Sequence, residues 1–323
     1  MNRIVFICPY FGELGKEQFK FWLRSCEYNS TVDFLMLLDD EEALAMDMPQ
    51  NVHPVKMIWD ECRDLIKNQF DFELSIEYAY KICDFRPAFG IIFAEYIKEY
   101  DFWGHMDISD TILGDLRKFI SEEMLNEYDK IHIYGHLTLY RNTDENNNRF
   151  RIPSKSGMTI ETIFTTEENM CFDDMYQPAS INKIFLENEF PIIERVENLV
   201  ADVLPWYWRL GLAEDAGKSV PRVFEWDNGK LVELTISDNE KVAKREIGYV
   251  HFQKRKISDE TSPDSKHYYF VPNRFIDAEK PLTAQDIREY AKDKLYFEPY
   301  KARIKRLRWY LKHPDALKRK LSK

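Results

Sequence analysis

Asp107 and Asp110 stand close together in the block DFWGHMDISDTILGDLRKF, residues 101–119. Two carboxylates held this near each other repel unless a cation sits between them or one is protonated. An oxygen-only pair suits Mg2+ or Mn2+ carrying a diphosphate. The same spacing fits a solvated turn in which Asp110 caps a helix beginning near Thr111. A second group lies in Tyr249-Val250-His251-Phe252-Gln253-Lys254-Arg255-Lys256. Strand alternation there would bring His251 and Gln253 to one face, ahead of three cations. A histidine beside cations can hold a metal and the pyrophosphate on it, or it can be a core histidine before a solvated basic turn.

Two further segments carry chemistry-bearing side chains. Arg86 precedes Pro87, which marks a helix start. It could reach a phosphate near that helix's N-terminal dipole, or pair with Asp84. Asp173 and Asp174 follow the short run Cys171-Phe172. They supply a candidate general base for an acceptor hydroxyl, or they cap the segment that follows.

The elements around these residues explain how they could meet. Ile4–Cys8, Val32–Leu38, Val52–Trp59 and Asp101–Met106 are apolar runs that predict strands. Between them, Glu17–Tyr28 has helical periodicity, and Tyr78–Tyr100 is helical in parts. Pro9-Tyr10-Phe11-Gly12 predicts a turn after the first strand. Such alternation predicts right-handed crossovers and a largely parallel α/β sheet. Ligands bind such sheets outside the carboxyl ends of the strands, and Asp39, Asp40 and Asp107 all fall at predicted strand ends. Farther on, Ile131–Tyr140 predicts a strand, Asn142–Arg149 a polar stretch and Ile181–Asn188 a helix. Val223–Trp226, Lys230–Ile236 and Ile247–Phe252 predict strands, the first two joined at Asp227-Asn228-Gly229.

Composition bounds the possibilities. With 44 % apolar and 15 % aromatic residues in 323, the chain can bury a sizeable core and is not generally disordered. Its formal charge is −11, yet residues 301–323 hold ten Lys and Arg against Asp315 alone. That leaves −20 on the remainder, which argues against nucleic-acid partners, since these need a basic surface. The five cysteines form no CxxC pair, so neither a disulfide framework nor a structural zinc site is indicated. A reducing, cytoplasmic setting is expected, with neither a signal peptide nor a membrane span. In the tail, Ile304, Leu307, Tyr310 and Leu311 form an apolar stripe up to Pro314. This predicts a basic amphipathic helix that lies peripherally on an anionic inner-membrane face or packs against the acidic body.

Together the segments ICPYFG, KICDFRPAFG, DFWGHMDISDTILGDLRKF, GHLTLYRNTDENNNRF and VHFQKRK resemble, in order, a family of bacterial polysaccharide-biosynthesis glycosyltransferases. The resemblance covers roughly residues 1–257. It implies a GT-A (Rossmann-like) fold, with a nucleotide-sugar half over 1–120, an acceptor half over 121–257 and an extension over 258–323 ending in the basic helix. It also implies transfer of a sugar from a nucleotide-diphosphate donor, UDP-linked, to a glycan or lipid-linked acceptor. Asp107 matches the first aspartate of the metal-holding Asp-x-Asp motif, whereas Ser109 stands where the second belongs and Asp110 arrives one residue late. On this resemblance Asp107, Asp110 and His251 would hold Mn2+ or Mg2+. Pro9, Tyr10, Phe11, Gly12, Asp39 and Arg86 would border the nucleotide, Lys254 and Arg255 would face the leaving diphosphate, and Asp173 or Asp174 would be the base of an inverting enzyme. The Ser109 departure also fits a degenerate scaffold that binds nucleotide or glycan without turnover.

Overall fold

The computed structural model describes residues 1–174, 180–253, 255–297, 300–301, 304, 307–308 and 311. The protein is mixed α/β, with three sheets among the described residues. Its chain divides into two compact units. One comprises Met1–Ala201, Trp226–Leu231 and Glu246–His251, and the other Asp202–Glu225, Val232–Arg245 and Phe252–Lys323. The second unit opens at Asp202.

The described residues up to 202 contain the strands β1 (Ile4–Tyr10), β2 (Val32–Leu38), β3 (Val52–Lys56), β4 (Phe102–Met106), β5 (Thr111–Leu113), β6 (Lys130–Tyr134), β7 (Leu137–Arg141), β8 (Ile192–Ile193) and β9 (Val200–Asp202). The main sheet of the first unit runs in the order β3-β2-β1-β4-β7-β6-β8. Its first four strands are parallel, and β7 then joins β4 antiparallel. Both faces are covered. Ile4, Phe6, Cys8, Phe34, Met36 and Leu38 enter one core, while Val5, Ile7, Leu35 and Leu37 enter the other. Two-sided burial is why β1 and β2 read as unbroken apolar runs. Because β1, β2 and β4 are parallel, Tyr10, Asp39, Asp40 and Asp107 all reach the same carboxyl-end rim.

Several elements differ from expectation. Pro9 and Tyr10 belong to β1, so the turn begins only at Phe11 and Gly12, and Gly12 adopts φ +112°. Trp59 opens a helix, Trp59–Lys67, rather than ending β3. Pro87 lies inside a 3-10 helix, Ala79–Ala88, rather than at a helix start. The stretch 142–149 contains a helix, Asp144–Asn148, capped by the Thr143 hydroxyl. The apolar run Ile131–Tyr140 is two antiparallel strands, β6 and β7, folded at Gly135-His136. Thr111 begins β5, so Asp110 caps no helix there. The helix that follows is Leu116–Phe119, capped by Asp115.

The remaining strands are β10 (Val223–Asp227), β11 (Lys230–Ile236), β12 (Val242–Glu246), β13 (Tyr249–His251), β14 (Ser258–Glu260), β15 (His267–Val271) and β16 (Arg274–Asp277). A small sheet places β13 between β5 and β9. The second unit is built on a six-stranded sheet in the order β12-β11-β10-β15-β16-β14. Its core includes Val223, Leu234, Tyr269, Val271 and Ile287, the last from the helix Ala284–Ala291. Most of the basic tail lies outside the described residues, including Tyr310 and Pro314. Ile304, Leu307 and Leu311 are exposed. Among the described residues no helix is long and apolar enough to cross a membrane.

Candidate active site

The rim loop after β1 is tied to the strand end beside it. The Gly12 N–H donates to Asp39 Oδ1 at 2.9 Å, and the Leu14 N–H donates to Asp40 Oδ2 at 2.9 Å. Asp40 also caps the short helix Glu41–Leu44 through the N–H groups of Glu42 and Ala43. The positive φ of Gly12 is a conformation that side chains with a Cβ rarely adopt, so a glycine there sets the path of the loop. Phe11 packs edge-on to Trp59, with ring centroids 5.3 Å apart. Burial pushes the Tyr10 phenol above its ordinary pKa, and the carboxylates of Asp110 and Asp40 add to the effect.

Asp107 leaves β4 and is fixed by its backbone. Its N–H donates to the His136 carbonyl at 3.0 Å, and its own carbonyl accepts from the Thr111 hydroxyl at 2.5 Å. Asp110 immediately precedes β5, which pairs antiparallel with β13 so that His251 stands opposite Thr111. This pairing brings His251, distant in sequence, to the aspartates. Its Nε2 lies 3.7 Å from Asp110 Oδ2 and 4.0 Å from Asp107 Oδ2. Ligand atoms of all three residues fall within 4.8 Å of one another. Two carboxylate oxygens and one imidazole nitrogen are donors that could hold a divalent metal ion, the carboxylates suiting Mg2+ or Mn2+ and the imidazole a softer ion such as Zn2+.

The Gly135-His136 hairpin, which sequence reasoning missed, forms the seat of this cluster. The His136 ring stacks on His251 with centroids 4.1 Å apart, and its Nδ1 is 2.9 Å from the Tyr249 hydroxyl. Burial, followed by the neighbouring His251, drives the His136 pKa well below its ordinary value, so this imidazole is neutral. The signal available in the sequence was the glycine inside an otherwise apolar alternation.

Arg86 occupies a place that sequence did not suggest. Its Nη1 donates to Asp173 Oδ2 at 2.8 Å and to the Gly135 carbonyl at 2.7 Å, while Nη2 pairs with Asp107 Oδ1. The guanidinium therefore bridges the aspartate cluster and the candidate base. Asp84 is not its partner. That carboxylate pairs with the fully buried Lys81 at 2.7 Å and accepts the N–H groups of Met170 and Phe172 at 2.8 and 3.1 Å. These bonds hold the loop that delivers Asp173. Gly135 makes a close approach here: a Cβ would lie 3.0 Å from Asp173 Oδ2, tighter than an ordinary contact. Burial raises the Asp173 carboxyl to about 6, against the opposing pull of Arg86. A carboxylate titrating there can accept a proton from a hydroxyl near neutral pH. Asp174 follows in the same turn, its N–H donating to the Cys171 carbonyl at 3.0 Å.

The basic run after β13 divides. Lys254 lies outside the described residues. Arg255 belongs to the second unit and is 2 % exposed. Its guanidinium donates to the carbonyls of Leu204, Tyr207, Trp208 and Arg209 and to Asn273 Oδ1. These bonds make it a structural post within the second unit. Gln253 donates to Asp202 at 2.9 Å.

The chain is an α/β protein with an Asp–Asp–His cluster at the carboxyl-end rim of its main sheet. It belongs to DUF6625, a family of unknown function that matches residues 6–279. No curated protein matches the chain. The cluster, Arg86 and Asp173 all lie inside the matched span.

Proposed function

We propose that this protein is a metal-dependent glycosyltransferase of GT-A type, moving a sugar from a nucleotide-diphosphate donor, UDP-linked, to a glycan or lipid-linked acceptor in surface polysaccharide synthesis. The observation that carries the reading is the convergence of Asp107, Asp110 and His251 within 4.8 Å at the carboxyl end of a sheet ordered 3-2-1-4, where nucleotides bind in doubly wound folds. Asp107, Asp110 and His251 would hold Mn2+ or Mg2+, which when bound supplies neutralising charge for a departing diphosphate. The loop Pro9–Gly12, pinned by Asp39, borders the nucleotide. Arg86 holds Asp107 and Asp173 in fixed relation, a role that replaces direct phosphate binding. Asp173 takes the proton of the acceptor hydroxyl if the reaction inverts the anomeric centre, and Asp174 beside it adds to the negative field.

A second reading is a degenerate scaffold that binds nucleotide or glycan without turnover. Ser109 at the second Asp-x-Asp position and the engagement of Asp107 by Arg86 favour it. Incubating the protein with Mn2+ and a panel of nucleotide sugars separates the two. Metal-stimulated release of nucleoside diphosphate supports the transferase, nucleotide binding without release supports the scaffold, and neither binding nor release removes both. Peripheral association of the basic tail with an anionic membrane belongs to the same proposal and is tested by vesicle co-sedimentation with and without residues 301–323.

A further inference from the structure

The second unit contains a cavity of about 330 Å³ whose lining comes wholly from that unit. Its size lies at the lower end of small-ligand pockets, roughly 300–1,000 Å³. Trp208 and Tyr290 supply aromatic surface, Arg274 and Lys294 two cations, and Glu260 and Glu289 two carboxylates. The walls are held in place from beneath. Arg255 donates to carbonyls on both sides of Trp208 and to its own carbonyl, and it grips Asn273 Oδ1 at 3.0 Å in the turn between β15 and β16. Asn273 lines the cavity at φ +61°, and its amide orientation is set by that bond. The segment carrying Lys294 is anchored by Asp293 on Arg209 at 2.5 Å and by Tyr296 against Trp208, centroids 5.9 Å apart.

We infer that this cavity is a binding site for a neutral saccharide unit, separate from the Asp–Asp–His cluster and independent of how that cluster is read. Three properties select this ligand class. The formal charges of the lining cancel, which disfavours a nucleotide or another polyanion. Trp208 and Tyr290 combine an apolar face with a polar tip, suited to the C–H face of a sugar ring. Carboxylates and a guanidinium, with Glu260 Oε2 and Arg274 Nη1 paired at 3.1 Å, offer acceptors and donors side by side for sugar hydroxyls. The cations now resting over the rings, Lys294 over Trp208 at 5.1 Å and Arg274 over Tyr290 at 5.8 Å, are weak occupants. Such exposed contacts are worth about 0.5–1 kcal/mol, so a stacked sugar can displace them.

The test is calorimetric titration of the full-length protein with cellohexaose, maltohexaose, chitohexaose and, as the acidic comparison, a hyaluronan oligomer. At least one neutral oligosaccharide is expected to bind, and Trp208→Ala and Tyr290→Ala each to weaken it about tenfold or more. Glu289→Gln, on an exposed side chain, is expected to weaken it as well. All three variants should bind Mn2+ and UDP as the wild type does, which separates failure of this site from failure of the metal reading. Binding of no neutral oligosaccharide, preference for the acidic oligomer, or unchanged affinity in all three variants would overturn the inference.

Discussion

His251 Nε2 lies 3.7 Å from Asp110 Oδ2 because β13 and β5 are neighbours in a small antiparallel sheet, in register at His251 and Thr111. A late strand thereby completes a carboxylate pair whose sequence departs from Asp-x-Asp. The bulge-like offset of Asp110 is accommodated by the Asp107 carbonyl accepting the Thr111 hydroxyl, which turns the chain between the two aspartates and β5.

The stacked His136 supports His251. Replacing it with Ala removes the ring against His251 and leaves the buried Tyr249 hydroxyl without its Nδ1 partner. Loss of a residue that supports a metal ligand typically weakens metal binding about 10–100-fold, and the loss of one interior hydrogen bond costs about 0.5–1.5 kcal/mol. We expect weaker Mn2+ affinity by calorimetry and a lower urea midpoint in the same variant.

Arg86 ties together two carboxylates, and its loss exposes their repulsion. Breaking a buried pair by removing one partner costs about 3–5 kcal/mol. Arg86→Met should lower stability on that scale in chemical denaturation. Arg86→Lys should recover only part of it, because an ammonium cannot span Asp107, Asp173 and the Gly135 carbonyl as a planar fork does.

Gly135→Ala tests the close approach beneath Asp173. The added methyl would meet Asp173 Oδ2 at 3.0 Å and its Cγ at 3.4 Å, so the carboxylate must move. Overpacking of this size costs about 1–3 kcal/mol. We expect that loss in thermal unfolding, together with a fall in kcat that exceeds any change in donor KM.

The pH dependence follows from Asp173, raised by burial to about 6 while Arg86 opposes and Asp107 and Asp174 add to the rise. The carboxylate is free to act as a base only above that value, so kcat should rise through about pH 6, and Asp173→Asn should abolish this limb. Stability carries the opposite sign. The raised pKa favours the folded state below the unfolded value of 3.8, and that contribution disappears as pH rises through about 6. The stability difference between Asp173→Asn and the wild type should therefore shift in the variant's favour as pH rises from 4 to 7.

The parallel half of the fold was legible because β1, β2 and β4 are buried on both faces, so their apolar runs stand out and their parallel direction places Asp39, Asp40 and Asp107 on one rim. Asp107, Asp110 and His251 were legible as candidates, though only the β5–β13 pairing brings them together. The hairpin in Ile131–Tyr140 was hidden because apolar residues continue on both sides of Gly135-His136, and no Pro or Asn marks the turn. Arg86 could not be assigned because its partners lie on three separated segments. Arg255 stands among neighbouring cations, and its guanidinium serves carbonyls of the second unit. Local composition carries no trace of such long-range pairing.

The most direct measurement is an anomalous difference map, collected at the manganese edge, from crystals of the full-length protein grown with MnCl2 and UDP. The account predicts one strong peak within coordination distance of Asp107, Asp110 and His251, lost in crystals of Asp110→Asn grown identically. A peak elsewhere, or no peak at saturating Mn2+ and UDP, would contradict it.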